Sequence, residues 1–329
     1  MDFGTVDLLG EIAGGGRALP VSARLGWHDL PSATRDAVER ELGSMVRRSL
    51  WQTPEFDGGV SARLELERGH RWVFLKAIPA GSPRAGGYRT EAAIARRLPP
   101  EAPTPKLLSF VDGEWLVLVF ADFDGTRPNL RPGSPDLSAV LATFGALGRT
   151  LTPCPLPDVP DALDDLGPLL RGWHELAKER PGDLDEWAVR NLDRLVQLET
   201  SWHPWSAGDT LLHNDIQPEY LVRTGPGRVL VTNWRYPARG AGWLDLVALV
   251  PYLLDAGHEP ADVDRLLRRR PVLTGIPVWA VTAFGVALAG HAERACRLPE
   301  PPATTGVRAA QRRLAGAMRE WLAYRTHWQ

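Results

Sequence analysis

The residues best placed to do chemistry lie in the segment 211–220, which reads Leu-Leu-His-Asn-Asp-Ile-Gln-Pro-Glu-Tyr. His213 and Asp215 stand two positions apart, and Pro218 follows just before a predicted strand. This is the outline of a phosphotransferase catalytic loop, in which an aspartate accepts or orients the proton of a substrate hydroxyl. The pattern therefore predicts Asp215 as a catalytic base.

The two positions expected to hold magnesium carry other residues. An active kinase of this shape has Asn where Tyr220 lies and Asp where Asn233 lies. A phenol is a poor ligand for a hard cation, and the amide of Asn233 lacks the charge of a carboxylate. Losing such charge stabilisation typically costs a factor of roughly 10²–10⁵ in rate. Glu219 either presents a carboxylate in place of Tyr220 or is an ordinary surface glutamate, so Asn233 and Glu219 are the candidate metal ligands.

Three further features precede this loop in the chain. Lys76 lies inside the apolar strand pattern 73–78, where a lysine either points to solvent at an edge or binds phosphate in a cleft. Glu91 lies on the helix pattern that follows and could pair with Lys76, or it is a surface glutamate of an amphipathic helix. Gly58 and Gly59 lie between two strand patterns, where they form either a turn or a loop over phosphates.

Hydrophobic periodicity predicts a β-rich part followed by a helical part. Helices are expected at about 32–51, 88–98, 135–151, 163–180, 184–204, 243–256, 260–269, 277–296 and 304–325. Strands are expected at 60–67, 71–77, 107–110 and 115–120, with a short β section at about 210–236. We expect an N-terminal extension with a helix at 1–54, a β-rich small lobe at 55–121, a hinge at 122–128 and a helical large lobe at 129–329.

Six pieces of the chain resemble the aminoglycoside phosphotransferase family, which has choline-kinase and homoserine-kinase relatives. The family's lysine strand, glutamate helix and hinge are matched, in that order, at 73–76, 88–91 and 115–125. Its LLHGDL loop, GRVVLVDW strand and ARGAPWLDL helix start are matched, in that order, at 210–216, 227–234 and 238–246. The likeness spans about residue 55 to the C-terminus. It implies an α+β, bilobal protein-kinase-like fold with a small antiparallel-sheet lobe and a large, mainly helical lobe.

The resemblance also implies roles for individual residues. Lys76 would contact the α- and β-phosphates of ATP and be held by Glu91, while His213 would hold the catalytic loop. The hinge backbone from about Phe120 through Asp122 to residue 123 would hydrogen-bond adenine. Asp245 would brace the catalytic loop, and Tyr220 would serve as structural support. ATP and magnesium are the cofactors that the family would use, and the replaced ligands argue against both.

The bulk composition excludes several classes of protein. The chain has 329 residues, a formal net charge of −2 and two cysteines, so it shows neither a basic nucleic-acid footprint nor a disulfide scaffold. Its N-terminus lacks a signal-peptide pattern, and the apolar run 276–289 is too short to cross a membrane. We expect a cytoplasmic protein that binds neither nucleic acid nor membrane.

Three functional hypotheses follow. The two replaced metal positions favour a pseudokinase-type binding or assembly subunit in a bacterial metabolite or modified-peptide pathway. Such a protein would hold a small molecule or a peptide in the cleft between its lobes, with a protein as a further partner. The alternatives are an active ATP-dependent phosphotransferase that uses Asp215 on a hydroxyl group, and a different reaction in the same cleft.

Overall fold

The first part of the chain forms one antiparallel sheet, and the second part consists mainly of helices. The computed structural model describes residues 25–52, 59–300 and 306–329. The sheet has the strand order β1-β2-β3-β5-β4, with β1 at Val46–Gln52, β2 at Val60–Leu66, β3 at Trp72–Pro79, β4 at Leu107–Asp112 and β5 at Trp115–Ala121. Neighbouring strands pair antiparallel throughout.

Both faces of this sheet are covered by a helix. α1 (Ser32–Leu42) packs through Val38 on the face that carries Leu75, and α2 (Ala85–Ala95) packs on the opposite face. Because side chains alternate along a strand, Lys76 leaves β3 on the α2 face. Lys76 lies opposite Leu118 of β5, in the middle of the sheet, so its side chain begins from a fixed point of the backbone.

The predicted helix at 32–51 is wrong beyond Leu42. Gly43 has φ +64°, a left-handed conformation that ends the helix, and its N–H bonds back to the carbonyl oxygens of Glu39 and Arg40. Residues 46–52 instead form the edge strand β1, whose apolar residues Val46, Leu50 and Trp51 stand at helix-like spacing and do not alternate. The sheet therefore begins on the N-terminal side of the boundary expected at residue 54, and the division into domains is otherwise still a prediction.

The large lobe confirms the expected helical architecture. Its helices are α3 (Pro135–Thr150), α4 (Ala162–Leu169), α5 (Gly172–Glu179), α6 (Glu186–Leu198), α7 (Trp243–Ala248), α8 (Val250–Asp255), α9 (Pro260–Arg268), α10 (Val278–Ala295) and α11 (Val307–Thr326). Two short, two-stranded antiparallel sheets lie between α6 and α7, formed by β6 (Thr210–Leu212) with β9 (Ala238–Gly240) and by β7 (Leu221–Gly225) with β8 (Arg228–Val231). The whole is a bilobal α+β fold.

Prolines divide two of the predicted helices. The pattern at 163–180 is split into α4 and α5, with Pro168 in the last turn of α4. The pattern at 243–256 is split into α7 and α8, with Pro251 in the first turn of α8. Since proline has no backbone N–H to donate to the preceding turn, α4 ends one residue after Pro168, and α8 begins one residue before Pro251.

Two glycines allow the helices α5 and α10 to cross in close contact at the centre of the large lobe. The apolar run 276–289 lies mostly in α10, which is buried along most of its length and crosses α5 at Gly172 and Gly290. A Cβ atom at Gly172 would lie 1.9 Å from the carbonyl oxygen of Gly290. Across the described part of the chain, every helix is too short or too polar to span a bilayer.

We expect Gly172→Ala to destabilise the fold by about 2–3 kcal/mol, because α5 and α10 would have to move apart. The matched control is Gly148→Ala in α3, where no atom of the described residues lies within 4 Å of the added methyl group. Alanine has the higher helix propensity, so the control should gain about 0.5–1 kcal/mol. Urea unfolding of the three proteins measures both effects, and equal stability of Gly172→Ala and the wild type would contradict the close crossing.

Candidate active site

The centre of the site is a buried lysine that bonds to residues of both lobes. Lys76 Nζ lies 2.5 Å from Glu91 Oε2 on α2 and donates to Asn233 Oδ1 at 2.7 Å. Lys76, Glu91 and Asn233 are 2%, 3% and 5% exposed. The predicted Lys76–Glu91 pair is therefore present. Since water is excluded, removing either partner would leave an uncompensated charge, which typically costs about 3–5 kcal/mol.

Two aromatic rings line the path of the lysine side chain. Lys76 Nζ lies 5.3 Å from the centre of the Tyr88 ring and 5.9 Å from that of Phe120. Both distances are within the range of cation–π attraction. The side chain of Phe120 thus belongs to the wall around the ammonium group, while its predicted backbone bond to adenine stays a prediction.

The backbone of Asn233 suits an asparagine. Asn233 follows β8 and has φ +66°, in the left-handed region that Asn and Asp tolerate better than most side chains. Its position in this turn directs the amide to the small lobe, where Lys76 engages it. An aspartate would tolerate the same backbone conformation, so the asparagine here differs from it by one negative charge.

Hydrogen bonds of an uncharged histidine, His213, hold the catalytic-like loop, which is the segment 211–220. His213 Nδ1 accepts the N–H of Asp215 at 3.3 Å, so its hydrogen is on Nε2, which donates to the carbonyl oxygen of Thr232 at 2.8 Å. Burial lowers the pKa of His213 to about 4, the bond to Thr232 opposes this, and the charge of Arg235 adds to it. The imidazole is uncharged at neutral pH and has the loop-holding position that was expected.

Asp245, near the start of α7, binds two amides of the same loop. Its carboxylate accepts the N–H of His213 at 2.7 Å and that of Asn214 at 3.0 Å. Burial raises the pKa of Asp245 to about 6, although both backbone bonds favour the ionised form. Because Asn214 has φ +64°, the loop is in a conformation that needs such support.

Asp215 itself is buried and oriented by a neighbour that the sequence did not single out. One carboxylate oxygen accepts the side-chain N–H of Gln217 at 2.7 Å, and Asp215 is 3% exposed. The available signal was an amide side chain between Asp215 and Pro218, close enough to reach back. This bond fixes the carboxylate plane, as positioning-dominated phosphoryl transfer would require.

Tyr220 ends a single 3₁₀ turn, Pro218–Tyr220, and is 3% exposed. Its carbonyl oxygen accepts both the N–H and the hydroxyl of Thr232, at 2.9 and 3.1 Å. The ring centre lies 6.0 Å from that of His213 and 5.7 Å from Cζ of Arg235. The phenol ring is therefore packed into the site, where the resemblance placed a metal-binding amide.

The residues present do not fit a magnesium ion. Glu219 Oε1 lies 3.0 Å from the guanidinium of Arg127, and burial raises the pKa of Glu219 while Arg127 opposes the shift. Asn233 is engaged by Lys76, so either candidate ligand would have to give up its present bond. In the described part of the chain, no three His, Cys, Asp or Glu side chains form a group that could hold a metal.

The hinge is tied to the sheet through its side chains. Asp122 accepts two bonds from the guanidinium of Arg63 on β2, at 2.9 and 2.7 Å, and the ring of Phe123 lies 4.5 Å from that of Phe74 on β3. Of the predicted glycine pair, Gly59 is buried just before β2, and Gly58 lies outside the described residues.

Arg235 is the charged residue that the motif analysis missed. It is 5% exposed, and its Cγ and Cδ lie against Gly87 of α2, where an added Cβ would be 3.0 Å from Cδ. Its guanidinium lies over the ring of Tyr220. The sequence signal for Arg235 was its position two residues after Asn233. The segment that resembles the GRVVLVDW strand ends at residue 234, just before it.

The raised pKa of Asp245 predicts a pH-dependent stability difference. An acid whose pKa rises on folding contributes stability below its unfolded value and loses it as pH rises through about 6. From pH 4 to pH 7, the free energy of unfolding of the wild type should therefore fall by roughly 2–3 kcal/mol relative to that of Asp245→Asn. Urea titrations of both proteins across this range measure the difference, and parallel pH profiles would contradict it.

Comparison with solved structures identifies the fold. An aminoglycoside phosphotransferase from Alicyclobacillus acidocaldarius is 12% identical, with a TM-score of 0.58, over 86% of this chain and 92% of that chain. Spectinomycin phosphotransferase APH(9)-Ia, in complex with ADP and spectinomycin, is 9% identical, with a TM-score of 0.58, over 88% and 97%. A thermostable mutant of aminoglycoside phosphotransferase APH(4)-Ia, in complex with AMP-PNP and hygromycin B, is 14% identical, with a TM-score of 0.55, over 88% and 99%.

No protein-family model matches the chain, and no curated protein matches its sequence. At 9–14% identity, the likeness to the solved structures concerns the fold. The chain has the protein-kinase-like fold of the aminoglycoside phosphotransferases.

Proposed function

We propose that this chain is a kinase-like binding protein that holds a ligand between its lobes and does not use magnesium-dependent phosphoryl transfer. The observation that carries the proposal is the 2.7 Å bond from Lys76 Nζ to Asn233 Oδ1. The residue at the expected metal position is neutral and is bonded to the expected phosphate-binding lysine. Both groups would have to be released before a magnesium–nucleotide complex could bind in the usual way.

Two further contacts support this proposal. The ring of Tyr220 is packed between His213 and Arg235. Position 220 therefore offers a phenol ring where a carboxamide oxygen would bind a metal ion. Glu219, the alternative carboxylate, is paired with Arg127. Phosphoryl transfer depends on metal ions that bridge and neutralise the phosphates, so a site with these pairings loses the main source of catalysis.

The structural neighbours support a small molecule as the ligand class. Their complexes contain ADP or AMP-PNP together with spectinomycin or hygromycin B. By analogy of fold alone, we assign a small molecule or a short peptide to the interlobe cleft of this chain. A protein partner and a bacterial metabolite or modified-peptide pathway are further parts of this proposal, and they rest on the family resemblance. A cytoplasmic location is also part of it and rests on the sequence pattern.

The purified protein should show no magnesium-dependent ATP turnover above background, because the usual metal ligands are replaced or engaged. Chromatographic measurement of ADP formed from millimolar ATP, with and without magnesium, checks this. Asp215→Asn is the matched control, since it removes the candidate base and keeps the shape of the side chain. We expect the wild type and Asp215→Asn to give the same background rate.

Magnesium-dependent ADP formation that disappears in Asp215→Asn would overturn the proposal. That result would establish the second candidate, an active phosphotransferase that uses Asp215. One observation favours this alternative: Gln217 holds the carboxylate of Asp215 at 2.7 Å, in a loop that Asp245 and His213 brace from behind. Turnover that is unchanged by Asp215→Asn would come from a contaminant.

A further inference from the structure

The hinge segment 122–128 is bonded through its backbone to the large lobe. Thr126 donates its N–H to the carbonyl oxygen of Arg223 at 3.1 Å, and Arg223 donates its N–H to the carbonyl oxygen of Thr126 at 2.8 Å. The two residues therefore exchange both bonds, as a residue pair in an antiparallel sheet does. Since Arg223 belongs to β7, the hinge adds one residue pair to the sheet that β7 forms with β8.

Gly125 allows this close approach of two backbone segments. A Cβ atom at this position would lie 2.5 Å from the carbonyl oxygen of Arg223 and 2.7 Å from Cγ1 of Val222. Because one of these atoms belongs to the backbone of β7, a change of side-chain rotamer would not make room for it. Any larger residue at position 125 would therefore push the hinge away from β7.

Side chains hold the same segment at both of its ends. On the side of the small lobe, the guanidinium of Arg63 bonds Asp122 at 2.9 and 2.7 Å and lies 2.9 Å from the carboxylate of Asp124. On the side of the large lobe, Arg127 pairs with Glu219 at 3.0 Å. Asp124 and Arg127 are exposed, so water weakens their pairs. The bidentate Arg63–Asp122 bond and the backbone pair with β7 are thus the firmest attachments of the hinge.

Motion between two lobes is normally absorbed by backbone rotations of a few hinge residues. In this chain those residues are bonded to β2 on one side and to β7 on the other. The bond from Lys76 to Asn233 joins the lobes at a second point. Rotation of one lobe against the other would therefore break backbone bonds as well as side-chain bonds.

We infer that the hinge segment is a clamp that holds the two lobes at one separation in the absence of a ligand. Gly125 and the Thr126–Arg223 pair attach the clamp to the large lobe, and Arg63 attaches it to the small lobe. This inference goes beyond the proposed function and does not depend on what the cleft binds.

Double electron–electron resonance on the ligand-free full chain measures the separation of the lobes. Spin labels at His70→Cys, in the exposed turn before β3, and at Arg190→Cys, on the exposed side of α6, report one distance between the lobes. Cys154→Ser removes the partly exposed native cysteine, and Cys296 is buried. The chain with an intact clamp should give one narrow distance distribution.

Gly125→Ala should broaden or divide this distribution, because the added methyl group separates the hinge from β7. Hydrogen exchange at the amides of Thr126 and Arg223 should also become about tenfold faster. Gly86→Ala in α2 is the matched control, since no atom of the described residues lies within 4 Å of its added methyl group. The control should keep the wild-type distribution and exchange rates.

Arg63→Gln tests the other end of the clamp if Gly125→Ala fails to fold, as a thermal melt would show. It removes the bidentate bond to Asp122 and should also broaden the distribution. A broad or two-peaked distribution in the wild type would overturn the inference. A wild-type distribution in every folded variant of the clamp would overturn it as well.

A failure of the proposed function is a separate result. Magnesium-dependent ATP turnover that Asp215→Asn abolishes would refute the binding role. It would leave the measured separation of the lobes unchanged, because that measurement contains neither nucleotide nor magnesium.

Discussion

A buried ammonium group sets the main constraint on this structure. Lys76 is almost completely shielded from water, and a bare charge in such a place would be far too costly for the fold. Glu91 therefore has to face it from α2, and a second polar atom has to come from the large lobe, which Asn233 provides. The strand, the helix and the turn after β8 are thus fixed relative to one another by one side chain.

The hydrogen bonds that support the catalytic-like loop are separate from those that Lys76 makes. Asp245 bonds the amides of His213 and Asn214, and His213 bonds both Asp215 and Thr232. None of these bonds uses a residue at the metal positions 220 and 233 as its donor or acceptor side chain. The loop can therefore keep its shape independently of which side chains lie at positions 220 and 233.

The sequence predicted those parts of the site that depend on local pattern. Lys76 is recognisable because an apolar strand surrounds it, and Asp245 because the segment 238–246 resembles the ARGAPWLDL helix start of the aminoglycoside phosphotransferases. The edge strand β1 was missed, since its apolar residues Val46, Leu50 and Trp51 stand at helix-like spacing and do not alternate. Gln217 and Arg235 were missed for another reason: their roles depend on where a side chain ends in three dimensions, against Asp215 and Gly87, which no periodicity encodes.

The replacements at 220 and 233 are mutually consistent in physical terms. An asparagine at 220 would offer Arg235 no aromatic face, and an aspartate at 233 would add a negative charge that Lys76 and Arg235 would then have to share. With Tyr220 and Asn233 in place, the arginine has a ring to lie on and the lysine has a neutral acceptor. The aromatic face of Tyr220 makes the burial of the Arg235 guanidinium less costly, and Asn233 accepts the bond from Lys76 without adding a charge to the site.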